Sequence, residues 1–183
     1  MDISNGEGVG VALFVQGCHF HCYNCFNPDT WDFNGGKEWT QDTEDKLIEL
    51  ANKPYIKRLS ILGGEPLADE NLDGVLHLAN RFRLSFPNKG IWLYSGYTWE
   101  AIMNYKLQSD LTDDDNIFIE NVKKDINILK RKKIISKCDV FVDGKYIDSQ
   151  RDISLKWCGS SNQKVIDIQK SLHKKGEIVL WTN

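Results

Sequence analysis

The stretch that decides the fold covers residues 8–28 and reads GVGVALFVQGCHFHCYNCFNP. Residues 8–15 form a short apolar run typical of a β-strand. Three cysteines follow directly, Cys18, Cys22 and Cys25, with the spacing C-x3-C-x2-C. Thiolates this close together on one loop can bind a single metal centre from the same side. The stretch therefore predicts a strand that ends in a metal-binding loop.

Beyond this loop, short strand patterns alternate with helical patterns. Strands are predicted at residues 8–15, 59–62, 91–94, 117–119, 138–142 and 177–181. Helices are predicted after the capping residues Thr40 and Thr98, over residues 71–86, and through Val122, Ile126 and Leu129. Such alternation indicates βα units on a largely parallel sheet. A full eight-unit barrel needs roughly 250 residues. We therefore expect an α/β fold with an open, partial βα barrel.

Composition narrows the class of protein. The chain has 183 residues, 41% of them hydrophobic and 27% charged, with a net charge of −3. These values are typical of a globular protein, and they do not favour a nucleic-acid-binding surface. No linker or repeat divides the sequence, so residues 1–183 are expected to form one domain. Acidic residues near 110–115 and basic residues at 130–133 are expected to be solvated surface, or else a docking patch for a partner.

The number of cysteines, five, is the informative value in this composition. The start, MDISNGEG, lacks the features of a signal peptide, and no apolar run is long enough to span a bilayer. Without secretion, metal or redox chemistry explains the cysteines better than disulfides do. We therefore expect a cytoplasmic protein that is not bound to a membrane.

The three clustered cysteines leave two kinds of metal site open. A four-iron, four-sulfur cluster held by three thiolates would keep one iron free for a small molecule. A closed zinc site needs four ligands. His19 or His21 could supply the fourth ligand locally, and Cys138 or Cys158 could supply it from a distance. We expect both histidines to be polar loop residues and the two remaining cysteines to be buried or incidental thiols.

A second motif, Gly63-Gly64-Glu65-Pro66, follows the strand predicted at residues 59–62. Glycines allow a backbone to approach a ligand closely, because no Cβ intervenes. Ligands of parallel sheets also gather at the carboxyl ends of the strands. A simple turn with a surface glutamate is the alternative interpretation.

The cysteine spacing resembles the signature of the radical S-adenosylmethionine enzymes. In that family three cysteines hold a 4Fe-4S cluster, and the amino and carboxylate groups of S-adenosylmethionine chelate the fourth iron. The segment at residues 63–66 resembles the family's glycine-rich motif, which meets the amino group of the methionine moiety. The resemblance implies that Glu65 accepts a hydrogen bond from this ammonium group or orients the loop.

Other segments resemble one subfamily, the activating proteins of anaerobic ribonucleotide reductase. Most superfamily members have an aromatic residue before the last cysteine, where this chain has Asn24. An aromatic–asparagine pair after that cysteine, as at Phe26-Asn27, is found in this subfamily. The segments YSGYTWE, DVFVDGKY and GSSNQ also resemble it. The implied cofactor-binding residues are Asn24, Cys25, Phe26, Gly63, Gly64, Glu65, Pro66, Ser95 and Asp143.

The GSSNQ segment, residues 159–163, supplies hydrogen bonds to ribose or adenine or only builds a turn. Many relatives have a basic residue just before it, whereas this chain has Cys158. This departure removes support for a role at position 158.

The resemblance implies a radical-generating activase. A reduced cluster passes one electron to the sulfonium of S-adenosylmethionine, and the bond to the ribose 5′-carbon breaks. Methionine and a 5′-deoxyadenosyl radical result, and the radical removes a hydrogen atom from a glycine of anaerobic ribonucleoside-triphosphate reductase. A low-potential donor such as flavodoxin or ferredoxin would supply the electron. No further acid, base or nucleophile is needed.

Two alternatives stay open. One is a radical enzyme acting on a small molecule, such as 7-carboxy-7-deazaguanine synthase, against which the GSSNQ segment argues. The other is a non-enzymatic zinc-binding module.

Overall fold

A computed structural model describes residues 1–108, 115–174 and 177–182. Within these ranges the predicted α/β class is confirmed, with five strands in one open sheet whose order follows the chain. The first four strands are parallel, and β5 is antiparallel to β4. The strands are β1 (Gly10–Val15), β2 (Arg58–Gly63), β3 (Gly90–Ser95), β4 (Val140–Asp143) and β5 (Lys164–Asp167).

Helices connect the strands, and two of the expected helix starts are confirmed. Thr40 caps α1 by accepting a hydrogen bond from the Thr43 amide, and Thr98 caps α3 in the same way from Ala101. Each cap satisfies an amide that the helix itself leaves unpaired. The helices are α1 (Gln41–Ala51), α2 (Leu72–Ser85), α3 (Trp99–Met103), α4 (Asp115–Lys137) and α5 (Ile168–His173).

Two strand predictions are wrong. Residues 117–119 belong to α4, because side chains further along this helix bind the preceding loop and outweigh the local β preference of Ile-Phe-Ile. Residues 177–181 form only an isolated bridge, between Leu180 and Ile166 of β5. Strand β5 itself was missed, since its four residues follow a polar segment and lack a longer apolar run.

The two faces of the sheet have different covers. Successive strand residues point to opposite faces. One face, which includes Leu59, Ile61 and Leu93, packs against the helices in the main hydrophobic core. On the other face, Trp92 makes edge-to-face contacts with Trp157 and Trp181 of the C-terminal part of the chain.

The N-terminal segment also lies across this second face, where one buried arginine holds it. The guanidinium of Arg58 forms an ion pair with Asp2 at 2.7 Å. It also donates hydrogen bonds to the carbonyls of Gly6, Glu7 and Gly8. Residues 2–8 are thereby fixed against the sheet.

The expected surface runs are only partly described. Asp110, Asp113 and Asp114 lie outside the described residues. In the basic run, Arg131 is buried rather than solvated, and it donates hydrogen bonds to the Leu67 carbonyl and the Tyr97 hydroxyl. Across the described ranges, no helix has the length and apolar character needed to cross a membrane.

Candidate functional site

The cysteine loop follows β1 at the carboxyl edge of the sheet. The amides of Gly17 and Cys18 donate to the carbonyls of Thr30 and Trp31, at 2.9 and 3.0 Å, and these bonds close the loop. Its three thiols, Cys18, Cys22 and Cys25, are all free. All three line one cavity of about 420 Å³. The loop therefore presents three sulfur donors to a single space.

The surroundings of each sulfur contain polar hydrogens. Burial raises the pKa of the Cys18 thiol, and the Phe20 and His21 amides partly offset this rise. Burial also raises the pKa of Cys22, as does the nearby Cys25. The sulfur of Cys25 accepts a hydrogen bond from the Asn27 amide at 3.4 Å. N–H donors of this kind stabilise thiolates, the form that binds a metal.

Two observations bear on the kind of metal centre that these thiols fit. Among the described residues, no three His, Cys, Asp or Glu side chains are grouped around one ion-sized position. The loop histidines have other contacts: His19 Nε2 lies 2.9 Å from Glu70 Oε1, and His21 stacks on Trp31. The three thiols around one shared cavity are a donor set that a multi-iron cluster with one open iron can use.

The glycines of the second motif join the ends of β1 and β2. The Gly64 amide donates to Val15 O at 2.9 Å, and the Glu65 amide donates to Gly17 O at 2.7 Å. A Cβ on Gly64 would lie only 2.5 Å from Gly17 O. Gly63 has a φ of +107°, a conformation that suits glycine. The glycines therefore allow close contact between two protein segments, and both of them also line the cavity.

Glu65 joins the ends of β2 and β3. Its buried carboxylate accepts hydrogen bonds from Ser95 Oγ and the Gly96 amide, both at 2.7 Å, and from the Leu67 amide at 2.8 Å. Burial raises the pKa of this carboxyl to about 7, although the three donors favour its charged form. Two roles were expected for Glu65: accepting a hydrogen bond from an ammonium group, or orienting the loop. These contacts match the second role.

Asp143 joins β4 to α3 and β5. Its carboxylate accepts hydrogen bonds from the amides of Trp99 and Lys164, at 2.8 and 3.1 Å. Burial raises the pKa of this group. The expected ligand-facing carboxylate is thus directed at protein amides.

The structure separates the remaining expected cofactor residues into two groups. Asn24 is exposed on the loop with a φ of 55°, and Pro66 is buried. The expected residues that line the cavity are Cys25, Phe26, Gly63, Gly64, Glu65 and Ser95.

The GSSNQ segment builds a turn against the loop after β4. Gln163 Oε1 accepts from the amides of Gly159 and Ser160, and its Nε2 donates to Gly144 O at 2.8 Å. Asn162 Nδ2 donates to Lys145 O at 2.9 Å. The side chains of Asn162 and Gln163 are therefore used within the protein, while Gly159 and Gln163 still line the cavity.

Several cavity residues were missed by the sequence reasoning. Tyr94 points its hydroxyl into a buried position and has no hydrogen-bond partner within the described ranges. The alternation along β3 places Tyr94 on the face of Trp92, which is the signal that could have found it. Cys158 also lines the cavity. Cys138 is fully buried, and its Sγ donates a hydrogen bond to Ile134 O. The missed residues include Phe20, Tyr94, Lys145, Tyr146, Trp157 and Cys158.

Comparisons with known proteins show similarity over most of the chain. Residues 4–166 match the family model described as a 4Fe-4S single cluster domain. The chain is 36% identical to the anaerobic ribonucleoside-triphosphate reductase-activating protein of Vibrio cholerae, over 90% of this chain and 92% of the relative. The proteins of the same name from Escherichia coli and Haemophilus influenzae are 34% and 32% identical. They cover 90% and 88% of this chain, and 92% and 90% of their own lengths are matched. No solved structure matches the chain.

Proposed function

Because the chain belongs to the family of anaerobic ribonucleoside-triphosphate reductase-activating proteins, we propose that it is the radical S-adenosylmethionine activase of such a reductase. The observation that carries the proposal is the shared cavity of Cys18, Cys22 and Cys25. Three thiolates leave one iron of a 4Fe-4S cluster without a protein ligand, so that S-adenosylmethionine can bind there.

The chain's own residues hold and orient these groups. In this proposal, Cys18, Cys22 and Cys25 bind the cluster, and Phe26, Gly63, Gly64 and Glu65 form the cofactor side of the cavity. When bound, the cluster and S-adenosylmethionine supply a one-electron cleavage whose 5′-deoxyadenosyl radical takes a hydrogen atom from a reductase glycine. Gly63 and Gly64 form the junction between the ends of β1 and β2, here called the glycine junction. The hydrogen bond between Ser95 and Glu65 keeps this junction in one conformation, so the ligand meets a preformed surface.

Water exclusion is the second task of the protein. Phe26 packs edge-to-face on Tyr146, and Trp157 packs on Trp92, so aromatic groups border the cavity on the C-terminal side. Such a wall limits the side reactions of a radical with solvent. Lys145 covers the ring of Phe20, with 4.6 Å between its Nζ and the ring centroid, and adds a cation near Cys22.

We further propose that the open sheet is a partial barrel of the radical S-adenosylmethionine type and that residues 1–183 act as one domain. The reductase glycine would then enter through the open side of the cavity. A low-potential donor such as flavodoxin or ferredoxin supplies the electron. An anoxic cytoplasm suits the oxygen sensitivity of such a cluster.

The decisive test is anaerobic reconstitution followed by cofactor cleavage. The protein is expected to bind about four irons per chain. With dithionite and S-adenosylmethionine, it should release 5′-deoxyadenosine. Cys22→Ala should abolish this release, whereas Cys138→Ala should retain it, because Cys138 is bonded to Ile134 within the helical core. A colourless chain that binds only zinc would contradict the proposal.

Transfer to the reductase distinguishes an activase from a small-molecule enzyme. With reductase present, the reaction should produce a glycyl radical that electron paramagnetic resonance detects on the reductase. Cleavage of S-adenosylmethionine without this signal would support a different substrate.

A further inference from the structure

A loop between β4 and β5 borders an opening of the cavity. This loop, residues 151–160, is here called the rim loop, and its two end residues form an antiparallel bridge. Residues 157–159 of the rim loop line the cavity. Phe26 of the cysteine loop lines it too and is 60% exposed, so the cavity reaches the surface beside this ring. The rim loop touches the same ring, because a Cβ on Gly159 would lie only 2.6 Å from Phe26 Cε2.

Two further apolar side chains of these loops project into solvent. Tyr23, on the cysteine loop, is 78% exposed, and Ile153, on the rim loop, is 90% exposed. Large apolar groups exposed together beside a cavity are typical of a surface that a partner covers. The loops that border the opening therefore offer apolar contacts to a second molecule.

Three cations belong to the same surface, and each lies over the ring of an aromatic residue that lines the cavity. The pairs are Lys145 over Phe20, Arg151 over Phe26 and Lys156 over Trp157, with 4.6, 5.8 and 5.9 Å from the charged group to the ring centroid. Such contacts hold a cation in place and leave its charge unneutralised.

The lack of a carboxylate partner distinguishes Arg151 from the other arginines. Within the described ranges, Arg151 forms no ion pair with a carboxylate, and neither do Lys145 and Lys156. The four other arginines of the chain all form ion pairs, namely Arg58, Arg81, Arg83 and Arg131. The charge of Arg151 is therefore available to a partner.

The carboxylates of the same segment are used locally. Asp148 accepts a hydrogen bond from the Tyr146 hydroxyl at 2.7 Å. Asp152 accepts from the amide and the hydroxyl of Ser154, at 2.8 and 2.6 Å. Residues 145–159 carry three cations and two carboxylates, whereas the chain as a whole has a net charge of −3. The opening is thus bordered by a locally positive surface on an acidic protein.

We propose that this surface docks the reductase and binds an acidic segment of it next to the target glycine. The rim surface consists of Tyr23, Phe26, Lys145 and the rim loop, and the proposal rests on the function proposed above. A glycine that gives a hydrogen atom to a radical in the cavity has to enter the cavity, so the segments beside it cross the rim. Apolar contacts at Ile153 then slow dissociation, and pairing of Arg151 with carboxylates sets the register and speeds encounter.

The rim surface is fixed before a partner arrives. Ser160, at the base of the rim loop, is fully buried, and its Oγ accepts a hydrogen bond from the Ile147 amide at 3.1 Å. The Ser161 amide donates to Gln150 O at 2.9 Å. Because the loop is already ordered, binding loses less conformational entropy.

Anaerobic binding of the reconstituted protein to full-length reductase tests the charged part of the surface. Arg151→Glu should raise the dissociation constant about tenfold at about 0.01 M ionic strength, mainly through slower association. The difference should shrink at about 0.15 M, because salt screens exposed charges. The control Lys46→Glu makes the same charge change at an exposed residue of α1 and should leave binding unchanged.

A second pair of variants tests the apolar part. Ile153→Ser should raise the dissociation constant about fivefold, mainly through faster dissociation. Leu84→Ser changes a residue of α2 that is 86% exposed, and it should leave binding unchanged. Iron content and circular dichroism confirm that each variant is folded.

A charge exchange identifies the acidic segment. Replacement by lysine of the reductase carboxylates next to the target glycine should weaken binding to the natural chain and restore binding to Arg151→Glu. Equal dissociation constants for the natural chain, Arg151→Glu and Ile153→Ser would overturn the docking proposal.

Two further outcomes separate this proposal from the function on which it rests. Variants that bind the reductase normally, and fail only when a protein donor replaces dithionite, would overturn the docking proposal, since the rim surface would then bind the electron donor. A natural chain that forms a glycyl radical on the reductase in the same experiment would still support the proposed function. A natural chain that forms none would contradict both.

Discussion

Glu65 is the residue whose environment departs most from what its type suggests. It is a carboxyl group buried at 2% exposure, yet three protein donors surround it. Burial opposes the charged form and the donors favour it, and burial dominates, since the pKa rises from 4.5 to about 7. The conformation of the glycine junction is thus coupled to the protonation of the Glu65 carboxyl.

This linkage predicts a pH-dependent stability. The folded protein retains a proton on Glu65 that the unfolded chain releases above pH 4.5. The proton on Glu65 therefore stabilises the folded protein fully below pH 4.5. This contribution to the free energy of unfolding falls by about 3 kcal/mol as pH rises through about 7. We expect the difference in free energy of unfolding between the natural chain and Glu65→Gln to change accordingly from pH 5 to pH 8. Anaerobic chemical denaturation measures it, and a constant difference would contradict the assignment.

The junction between the ends of β1 and β2 is the element that places the cysteine loop. Asn71, just before α2, reinforces this junction, because its Nδ2 donates to both Gln16 O and Glu65 O at 2.9 Å. Gly64 allows the two segments to touch. The position of the three thiols thus depends on close backbone contact between segments that are distant in sequence.

Substitution of Gly64 should therefore affect metal binding as well as stability. In Gly64→Ala, the new Cβ would lie 2.5 Å from Gly17 O and 2.7 Å from Thr30 O, so the cysteine loop must shift. We expect a loss of about 1–3 kcal/mol in free energy of unfolding and a lower iron content after reconstitution.

The matched control for this prediction is Gly74→Ala within α2, where nothing lies within 4 Å of the added Cβ. Alanine should raise the free energy of unfolding there by about 0.5–1 kcal/mol. Equal iron content in the two variants would show that the junction does not position the thiols.

At the scale of the whole molecule, the sheet has helices on one face and terminal segments on the other. Ser4 and Asn5 of the N-terminal segment line the same cavity as the three thiols, and Arg58 holds this segment in place. The wall of the candidate site thus depends on the ion pair between Arg58 and Asp2, which lies at the start of β2, the end of the strand away from the cavity.

Removal of this arginine should release the segment. Arg58→Met leaves Asp2 and several carbonyls without their donor, and we expect a loss of about 3–5 kcal/mol in free energy of unfolding. Amide hydrogen exchange should become faster over residues 2–9. The control Lys164→Met breaks an exposed pair with Glu100 and should cost less than about 1 kcal/mol. Unchanged exchange at residues 2–9 would contradict this role of Arg58.

Local pattern was sufficient for much of the fold. The caps at Thr40 and Thr98 and the parallel strands β1 to β4 follow from signals within a few residues. The helical state of residues 117–119 does not, because it depends on bonds between α4 and the loop at Gln108. Likewise, β5 is a strand because it pairs with β4, which no four-residue segment reveals.

The sequence by itself determined the chemistry of this protein. The number and spacing of Cys18, Cys22 and Cys25 are covalent facts, and the glycines before Glu65 are equally legible. Only the tertiary structure decided what those groups contact. In the folded chain, Gly64 lies against Gly17, and the Asp143 carboxylate accepts hydrogen bonds from backbone amides. Tyr94 and Cys158 line the cavity. The apolar side chains Phe118, Ile119, Ile126 and Leu129 of α4 are exposed. The physical reason is that burial and hydrogen bonding depend on partners that are distant along the chain, which local sequence patterns do not specify.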